Sequence, residues 1–353
     1  MRVKSLKTAL IKAGINAYLV TDIKNVYYLT GFKGISDAAV NLLVSLEDDP
    51  ILIVSQLSLV EANEKAKKCS VRGARFGEKI INVLIEAIRE TGASIIHFDS
   101  LSLQTYLELV KRLEIKFIHE PELIMALRRV KDEIELSYIR KASEIAATGL
   151  KVGVEAIKPG IKEYEVAAAM EYTMRAMGSE GTSFETLVAS GPRSAYPHGL
   201  ATNRVINRGE LVTIDLGATY SGYCSDISRT IVVGEPSPKQ LRILNLIFRV
   251  QEKAFKKFSA GEEARYVDAF ARKILENEGY GEYFIHGLGH GVGLSVHESP
   301  VLSPNSEDLL EEGNVVTNEP GVYIEGFGGV RIEDMILVRK KRGEKLTIVP
   351  YYI

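Results

Sequence analysis

The sequence lacks the features that define several common classes of protein. Its 353 residues include only two cysteines and no tryptophan, and two cysteines cannot build a disulfide framework, so we expect a reducing, cytoplasmic location. No apolar run approaches the ~20 residues of a membrane span. Lysines interrupt the apolar residues near the N-terminus, which predicts an amphipathic helix instead of a signal peptide. A net charge of -2 gives no surplus of positive charge, so we expect neither a nucleic-acid nor a membrane partner.

The length and the order of the predicted elements indicate two domains, which we place at 1–125 and 126–353. The first alternates between helix-periodic and short apolar segments, which predicts an α/β domain with a buried sheet. The second begins with a long helix predicted over 121–157, and further helices collect against antiparallel strands. This pattern predicts an α+β domain with a curved antiparallel sheet. The strands predicted for the first domain are 17–21, 25–32, 40–46, 50–55, 94–100 and 116–120.

A predicted β-hairpin over residues 211–233 contains two aspartates in an apolar setting. Asp215 lies between isoleucine and leucine, and Asp226 lies in the returning strand. Aspartate is uncommon in strands, and burying an unpaired carboxylate costs several kcal/mol or more. A turn centred on Tyr220 and Ser221 would place the two aspartates directly opposite each other. Two carboxylates that close repel unless a cation lies between them, so the hairpin predicts a metal site.

Most of the remaining candidate chemistry lies in the last 75 residues. His286, His290 and His297 fall within twelve residues among closely spaced glycines, which allow backbone to approach an ion. A single histidine here would more often be structural, but clustered imidazoles favour a metal or proton-transfer role. Glu333 lies in an apolar strand-like run, and Glu319 precedes a Pro-Gly turn. Alone, each glutamate would more often be solvent-exposed.

Two aspartates, one histidine and two glutamates together form a plausible metal-binding set. Carboxylates with a single imidazole suit Mn²⁺, Fe²⁺, Co²⁺ or Zn²⁺. Four negative charges are too many for one divalent ion but match two ions bridged by carboxylates. Two such ions can share a water and convert it to hydroxide near neutral pH. The residues therefore predict hydrolysis by a dinuclear centre.

Four motifs, in this order, resemble those of the pita-bread metallopeptidases, a family that includes Xaa-Pro dipeptidases, aminopeptidase P, methionine aminopeptidase and creatinase. The motifs are IDLGATYSGYCSDISRT (214–230), HGLGHGVGLSVHE (286–298), TNEPG (317–321) and GVRIED (329–334). The resemblance implies a creatinase-like N-terminal domain that covers the active site and contributes to a homodimer. It also implies a catalytic domain with the pita-bread fold.

The resemblance assigns roles to individual residues. It implies that Asp215 chelates one metal, that His290 and Glu319 chelate the other, and that Asp226 and Glu333 bridge both. It implies two ions, Mn²⁺ or Co²⁺, with Zn²⁺ or Fe²⁺ as alternatives. The substrate-side residues would be His198, His286, His297 and Arg331.

The expected reaction is hydrolysis of the Xaa-Pro bond in peptides with proline at the second position, with a metal-bridging hydroxide as nucleophile. His297 is our candidate oxyanion donor and Glu319 a candidate proton carrier. Val301 occupies a position where many dipeptidases of the family have arginine, a residue suited to holding a carboxylate. The compact chain favours a dipeptidase, with an Xaa-Pro aminopeptidase as the alternative. A non-catalytic binding module or a creatinase-like hydrolase would not need all five ligands, so both fit less well.

Overall fold

The chain divides into two compact units, Met1–Arg128 and Arg129–Ile353. The computed structural model describes residues 2–34 and 39–352. Among these described residues, no helix is both long and apolar enough to cross a membrane. The boundary between the two domains that the sequence predicts, between residues 125 and 126, stays a prediction.

The first unit is built on one six-stranded mixed sheet. The strands follow the order β4-β3-β2-β1-β5-β6, in which β1–β2 and β2–β3 are antiparallel and the other three pairs are parallel. The strands are β1 (Ala17–Val20), β2 (Asn41–Ser45), β3 (Ile51–Ser55), β4 (Ser70–Ala74), β5 (Ile95–Phe98) and β6 (Lys116–His119). The helices are α1 (Arg2–Ala13), α2 (Ile23–Thr30), α3 (Leu59–Lys65), α4 (Ile80–Glu90), α5 (Leu103–Arg112) and α6 (Glu122–Arg129), the last of which crosses the boundary between the units. All four residues of β1 are buried, as expected for a central strand.

The strand predicted over 25–32 is wrong, because this segment belongs to helix α2. Asp22 caps the helix by accepting hydrogen bonds from the backbone N–H groups of Lys24 and Asn25. Gly31 ends it in the left-handed conformation, with φ of 74°. The β-branched and aromatic residues between these caps favour a strand, but the two capping signals and burial of one face favour the helix.

The single long helix predicted over 121–157 is also wrong, because it is interrupted between α6 and α7. Helix α7 (Glu133–Ala156) starts afresh at Asp132. The Asp132 carboxylate accepts from the backbone N–H of Glu135, and the Glu135 side chain accepts from the backbone N–H of Asp132. This capping box satisfies N–H groups at the start of the helix and fixes where it begins.

The second unit packs four helices against antiparallel strands. Its helices are α7, α8 (Glu163–Ala176), α9 (Pro238–Phe255) and α10 (Ala264–Asn277). Its strands are β7 (Gly181–Thr182), β8 (Leu187–Ser190), β9 (Leu211–Leu216), β10 (Ala218–Tyr220), β11 (Tyr223–Cys224), β12 (Ile227–Val232), β13 (Gly289–Gly291), β14 (Glu298–Leu302), β15 (Val315–Asn318), β16 (Gly321–Ile324), β17 (Gly328–Arg331), β18 (Asp334–Leu337) and β19 (Glu344–Lys345). The sheets have the orders β12-β9-β8, β11-β10-β7, β14-β13-β15-β18-β19 and β16-β17. The predicted fold class, α/β followed by α+β with antiparallel strands, is confirmed.

Two apolar clusters form the core of this second unit. One packs α7 and α8 against β8, β9 and β12, with Ile145, Met170 and Ile214 fully buried. The other packs α9 and α10 against the strands from β14 to β18. Ser237 caps the start of α9, where its hydroxyl accepts from the backbone N–H of Gln240. The strands that carry the predicted metal ligands are thus held between helices.

Candidate metal centre

The hairpin of β9 to β12 forms as predicted, but its register differs from the prediction. Ser228, not Asp226, lies directly opposite Asp215, and Tyr220 pairs with Tyr223. The turn is therefore Ser221-Gly222, whose φ angles are 47° and 78°. A two-residue hairpin turn of this kind needs positive φ at both central positions, and glycine adopts it without strain. The predicted face-to-face pairing of Asp215 with Asp226 is wrong by two residues.

Three of the predicted metal ligands nevertheless converge. Asp226, His290 and Glu333 each offer a ligand atom, and these atoms lie within 4.8 Å of one another. Asp226 lies between β11 and β12, and Glu333 lies between β17 and β18. His290 lies in β13 at a register shift in its pairing with β14. Bulges and strand breaks redirect side chains, and here they allow three separate segments to reach one point.

The other two predicted ligands border this group. Glu319 Oε1 lies 3.3 Å from His290 Nε2, which is also 3.7 Å from Asp226 Oδ2. The hydroxyl of Thr317 donates to Glu319 Oε1 at 3.1 Å and accepts from the His290 backbone N–H at 3.0 Å. Asp215 Oδ2 accepts from Arg331 at 2.6 Å. Glu319 thus borders the three converging ligands through His290, and Asp215 is near enough to help raise the pKa values of Asp226 and Glu333.

Several carboxylate oxygens of this cluster are buried without a hydrogen-bond partner among the described residues. They are Asp215 Oδ1, Asp226 Oδ1 and Glu333 Oε2. An unsatisfied buried carboxylate oxygen is costly, and a divalent cation is the natural partner for several of them at once. The donor set of carboxylates with one imidazole therefore fits divalent metal ions.

Burial, together with repulsion between neighbouring carboxylates, raises the pKa values of the acids in this cluster. Burial, followed by repulsion from Glu333 and Asp215, raises the pKa of Asp226 well above its ordinary value. Burial and the neighbouring carboxylates raise the pKa of Glu333 in the same way, and burial raises that of Glu319. Burial lowers the pKa of His290, so its imidazole is neutral and able to bind a metal.

We expect metal affinity to fall as the pH is lowered. In protein stripped of metal, the raised pKa values of Asp226, Glu319 and Glu333 mean that these groups keep protons at higher pH than ordinary carboxylic acids. A cation must displace those protons, so Mn²⁺ should bind more weakly at about pH 6 than at about pH 8 and should release protons on binding. Calorimetric titration in two buffers of different ionisation heat measures both effects. Equal affinity at both pH values without proton release would contradict the expectation.

A chain of hydrogen bonds links His286 to Asp215. Arg331 donates to Asp215 Oδ2 at 2.6 Å and to the hydroxyl of Tyr323 at 2.8 Å. A guanidinium can only donate, so the Tyr323 oxygen accepts from Arg331. The Tyr323 hydroxyl can therefore donate its own proton to His286 Nε2, which lies 2.9 Å away. His286 Nδ1 then carries the ring hydrogen and donates to the Gly287 carbonyl at 2.7 Å. Burial lowers the pKa of His286 and raises that of Tyr323 to about 12, which keeps both groups neutral.

His297 lies against His290, and His198 is near enough to His297 to affect its pKa. The rings of His290 and His297 have centroids 4.1 Å apart. His297 remains exposed as a residue, yet partial desolvation, with further contributions from His290 and His198, lowers its pKa to about 4. His198 is exposed in the loop that follows a short 3-10 helix at Gly191–Ala195. Of the predicted substrate-side residues, His297 contacts His290 and Arg331 contacts Asp215, whereas His198 is linked to the cluster only by its electrostatic effect on His297.

The loop of His198 is anchored by a residue that sequence reasoning missed. Glu163, at the start of α8, is fully buried. Its Oε1 accepts from the backbone N–H and the hydroxyl of Ser190, at 2.8 and 2.7 Å. Its Oε2 accepts from the hydroxyl of Thr202 at 2.7 Å and from Arg193. Both ends of the loop are therefore attached to one carboxylate, whose only sequence signal is an acid in the first turn of a helix.

The chain is similar to known proteins along nearly its whole length. Residues 137–340 match the sequence profile of metallopeptidase family M24, and residues 2–130 match that of the creatinase/prolidase N-terminal domain. Over 347 residues the chain is 41% identical to an Xaa-Pro dipeptidase of Pyrococcus horikoshii, an alignment that covers 98% of this chain and 96% of that protein.

Solved structures are also similar to this chain along nearly its whole length. An Xaa-Pro dipeptidase from Bacillus anthracis is similar with a TM-score of 0.94 at 37% identity, covering 99% of this chain and 97% of that one. An X-Pro aminopeptidase from Thermotoga maritima is similar with a TM-score of 0.88 at 36% identity, covering 98% of each chain. Proteins with either of these two names therefore share the fold.

Proposed function

The chain belongs to metallopeptidase family M24, and on that basis we propose that it hydrolyses the peptide bond between an N-terminal residue and proline, as an Xaa-Pro dipeptidase. The resemblance to the pita-bread metallopeptidases is confirmed, and the protein is a metallopeptidase that uses divalent metal ions. The observation that carries the proposal is the convergence of Asp226, His290 and Glu333. Beside it, Asp215, Asp226 and Glu333 each have a buried carboxylate oxygen without a hydrogen-bond partner among the described residues.

We assign the ligands to two ions. Asp215 would hold one ion, His290 and Glu319 the other, and Asp226 and Glu333 would be shared. We propose Mn²⁺ or Co²⁺, with Zn²⁺ or Fe²⁺ as alternatives, because this set combines hard oxygen donors with one imidazole. When bound, such ions supply an activated water as nucleophile and a Lewis acid for the carbonyl oxygen of the substrate.

The other residues would orient the ligands and handle charge and protons. His297 has a pKa lowered to about 4, so it stays neutral near pH 7 and its ring N–H can donate a hydrogen bond to the developing oxyanion. Glu319 would accept and return a proton alongside its role as a ligand. Arg331 donates to Asp215 and to Tyr323, and Tyr323 is hydrogen-bonded to His286. This chain of hydrogen bonds would fix the orientation of Asp215 as a ligand.

Val301 supports the alternative function, an Xaa-Pro aminopeptidase that acts on longer peptides. It pairs directly with His290 across β13 and β14 and is 43% exposed. Directly opposed residues of antiparallel strands project from the same face, with Cβ atoms only ~5 Å apart. An apolar side chain beside a proposed metal ligand cannot hold a carboxylate, so the C-terminus of a dipeptide lacks a guanidinium partner at this position.

We expect the protein to cleave Ala-Pro or Met-Pro faster than the tripeptide Ala-Pro-Ala. The measurement is kcat/KM for each peptide with Mn²⁺ or Co²⁺ added, and Met-Ala serves as the control peptide without proline. A chelator should abolish all cleavage, because the activated water is lost with the metal. Faster turnover of the tripeptide would reject the dipeptidase proposal in favour of the aminopeptidase. Equal cleavage of Met-Ala would reject the preference for proline.

We also propose that the protein acts in the cytoplasm as a homodimer. The match of residues 2–130 to the creatinase/prolidase N-terminal domain supports the dimer, because the resemblance implies that this domain contributes to it. The sparse cysteines support a reducing compartment.

A further inference from the structure

The segment from Phe284 to Leu288, which contains His286, is fastened to helix α10 by two side chains of that helix. Asp268 and Arg272 lie one turn apart on α10, and Arg272 donates to both carboxylate oxygens of Asp268 at 3.0 Å. The Asp268 side chain is 0% exposed and that of Arg272 is 21% exposed. Two parallel hydrogen bonds between a guanidinium and a carboxylate fix the orientation of both groups.

The two side chains make three further hydrogen bonds, all to the backbone of this segment. Arg272 donates from Nη1 to the Phe284 carbonyl and from Nη2 to the His286 carbonyl, each at 2.8 Å. Asp268 Oδ1 accepts from the backbone N–H of Leu288 at 2.9 Å. The guanidinium also lies over the Phe284 ring, 4.3 Å from its centroid. The first, third and fifth residues of the segment are thus bound to one ion pair.

The same segment contacts residues of the proposed active site. The His286 ring is hydrogen-bonded to the Tyr323 hydroxyl at 2.9 Å. The Leu288 carbonyl accepts from the backbone N–H of Glu319 at 2.9 Å. The ion pair on α10 is therefore connected to a proposed metal ligand through the backbone of Leu288, and to a substrate-side histidine through the carbonyl of that histidine.

We propose that Asp268 and Arg272 are positioning residues that fix where the His286 imidazole lies in the active site. His286 lies outside helix and strand, so its position depends on contacts of this kind. Arg272 supplies the donor for its carbonyl, and the ion pair also holds the residues two positions before and after it. A misplacement of about 1 Å in an active site can cost roughly a hundredfold in rate. This inference rests on the proposed function, which gives His286 its place beside the substrate.

Substitutions at the ion pair separate the effects of geometry, charge and stability. R272M removes the donors to both carbonyls, and D268N weakens the pair from the other side. R272K keeps a cation beside Asp268, but an ammonium group does not reproduce the planar geometry of a guanidinium. As controls, R265M removes an arginine of the same helix whose ion pair with Glu263 is 45% and 38% exposed. I247A opens a cavity in the apolar cluster on α9 and leaves both members of the ion pair in place.

The imidazole NMR signals of the metal-stripped full chain can be measured without metal or substrate. The sequence has six histidines, so the signal of His286 can be assigned by its loss in H286Q. We expect R272M and D268N to shift or broaden this signal and to lower kcat for Ala-Pro with Mn²⁺ about tenfold or more. R272K should recover most of the Tm, but neither the signal nor kcat. R265M and I247A should keep the wild-type signal and a kcat within about twofold.

The outcomes separate this inference from the proposed function. An unchanged His286 signal and kcat in R272M, even with a lowered Tm, would show a merely structural ion pair and overturn the inference. Equal changes in I247A would assign the effect to lost stability, and full recovery by R272K would assign it to charge alone, and either result would overturn the inference as well. Should R272M not fold, D268N and R272K decide by the same criteria. Wild-type protein that cleaves no Xaa-Pro peptide would overturn the proposed function, whereas the His286 signal would still show whether the ion pair positions that ring.

Discussion

Replacing Glu333 with glutamine should abolish metal-dependent cleavage of Xaa-Pro substrates while leaving the protein folded. Glutamine has nearly the same size and shape, but it carries no negative charge and presents an NH₂ donor where a cation needs an oxygen. Glu333 is 1% exposed, so bulk water does not screen its charge and the loss of that charge is felt in full. Losing several kcal/mol of charge stabilisation corresponds to roughly a thousandfold or more in kcat/KM. Asp215→Asn should have the same consequence.

The fold should tolerate this change, because the clustered carboxylates repel one another when no metal is bound. Burial, followed by repulsion from Glu333 and Asp215, raises the pKa of Asp226. Removing one negative charge relieves this repulsion, so the Tm of metal-stripped E333Q should be no lower than that of metal-stripped wild type. Loss of activity with an unchanged Tm would locate the effect in the metal centre.

The measurement is kcat/KM for Ala-Pro with Mn²⁺ or Co²⁺, alongside a thermal melt of the metal-stripped protein. Glu344 gives a matched control, because it is a surface glutamate paired with Arg140 and Arg339. E344Q should retain wild-type activity. Full activity in E333Q or D215N, or in wild-type protein without metal, would refute the dinuclear assignment.

The cluster of candidate ligands could be anticipated because acids in apolar runs are anomalous. Asp215, Asp226 and Glu333 each place a charge where burial is costly, and this anomaly is visible in the sequence alone. The register of the hairpin was not predictable in the same way. The register depends on which two residues of the turn adopt positive φ. The predicted turn, centred on Tyr220 and Ser221, left out Gly222, which does adopt positive φ. Asp226 still approaches the other ligands because the strand breaks just before Ile227.

Neutral supporting residues leave no comparable signal in the sequence. Tyr323 and Ser228 lie in strand-like runs where tyrosine and serine are unremarkable, so nothing indicates a polar contact. Their importance arises only from partners distant in sequence, such as Arg331 and His286. The strand predicted over 25–32 was wrong for a related reason. The strand propensity of its residues was outweighed by the caps of helix α2 and by burial of that helix against the rest of the unit.

A second large effect is expected at Arg229, where methionine should lower the stability of the second unit by about 3–5 kcal/mol. Arg229 and Asp334 form an ion pair at 2.8 Å, with side chains only 0% and 1% exposed. Arg229 also donates to the carbonyl of Glu333 at 2.6 Å and to that of Pro350 at 3.1 Å. Without the guanidinium, the buried Asp334 carboxylate loses its closest cation and these carbonyls lose a donor. For a domain of this size the loss corresponds to a Tm lower by roughly 10 °C.

A matched variant shows whether burial is the cause. Arg249 pairs with Glu278 at 2.6 Å, but these side chains are 48% and 36% exposed. Exposed pairs contribute about 0–1 kcal/mol, so R249M should change the Tm little in the same thermal melt of metal-stripped protein. If R229M lost no more stability than R249M, the Asp334 network would not need its arginine. A loss confined to R229M would instead mean that burial is what makes the ion pair between Arg229 and Asp334 stabilising. Because Arg229 also donates to the Glu333 carbonyl, the arginine that stabilises the fold would be the one that holds the backbone of a proposed metal ligand.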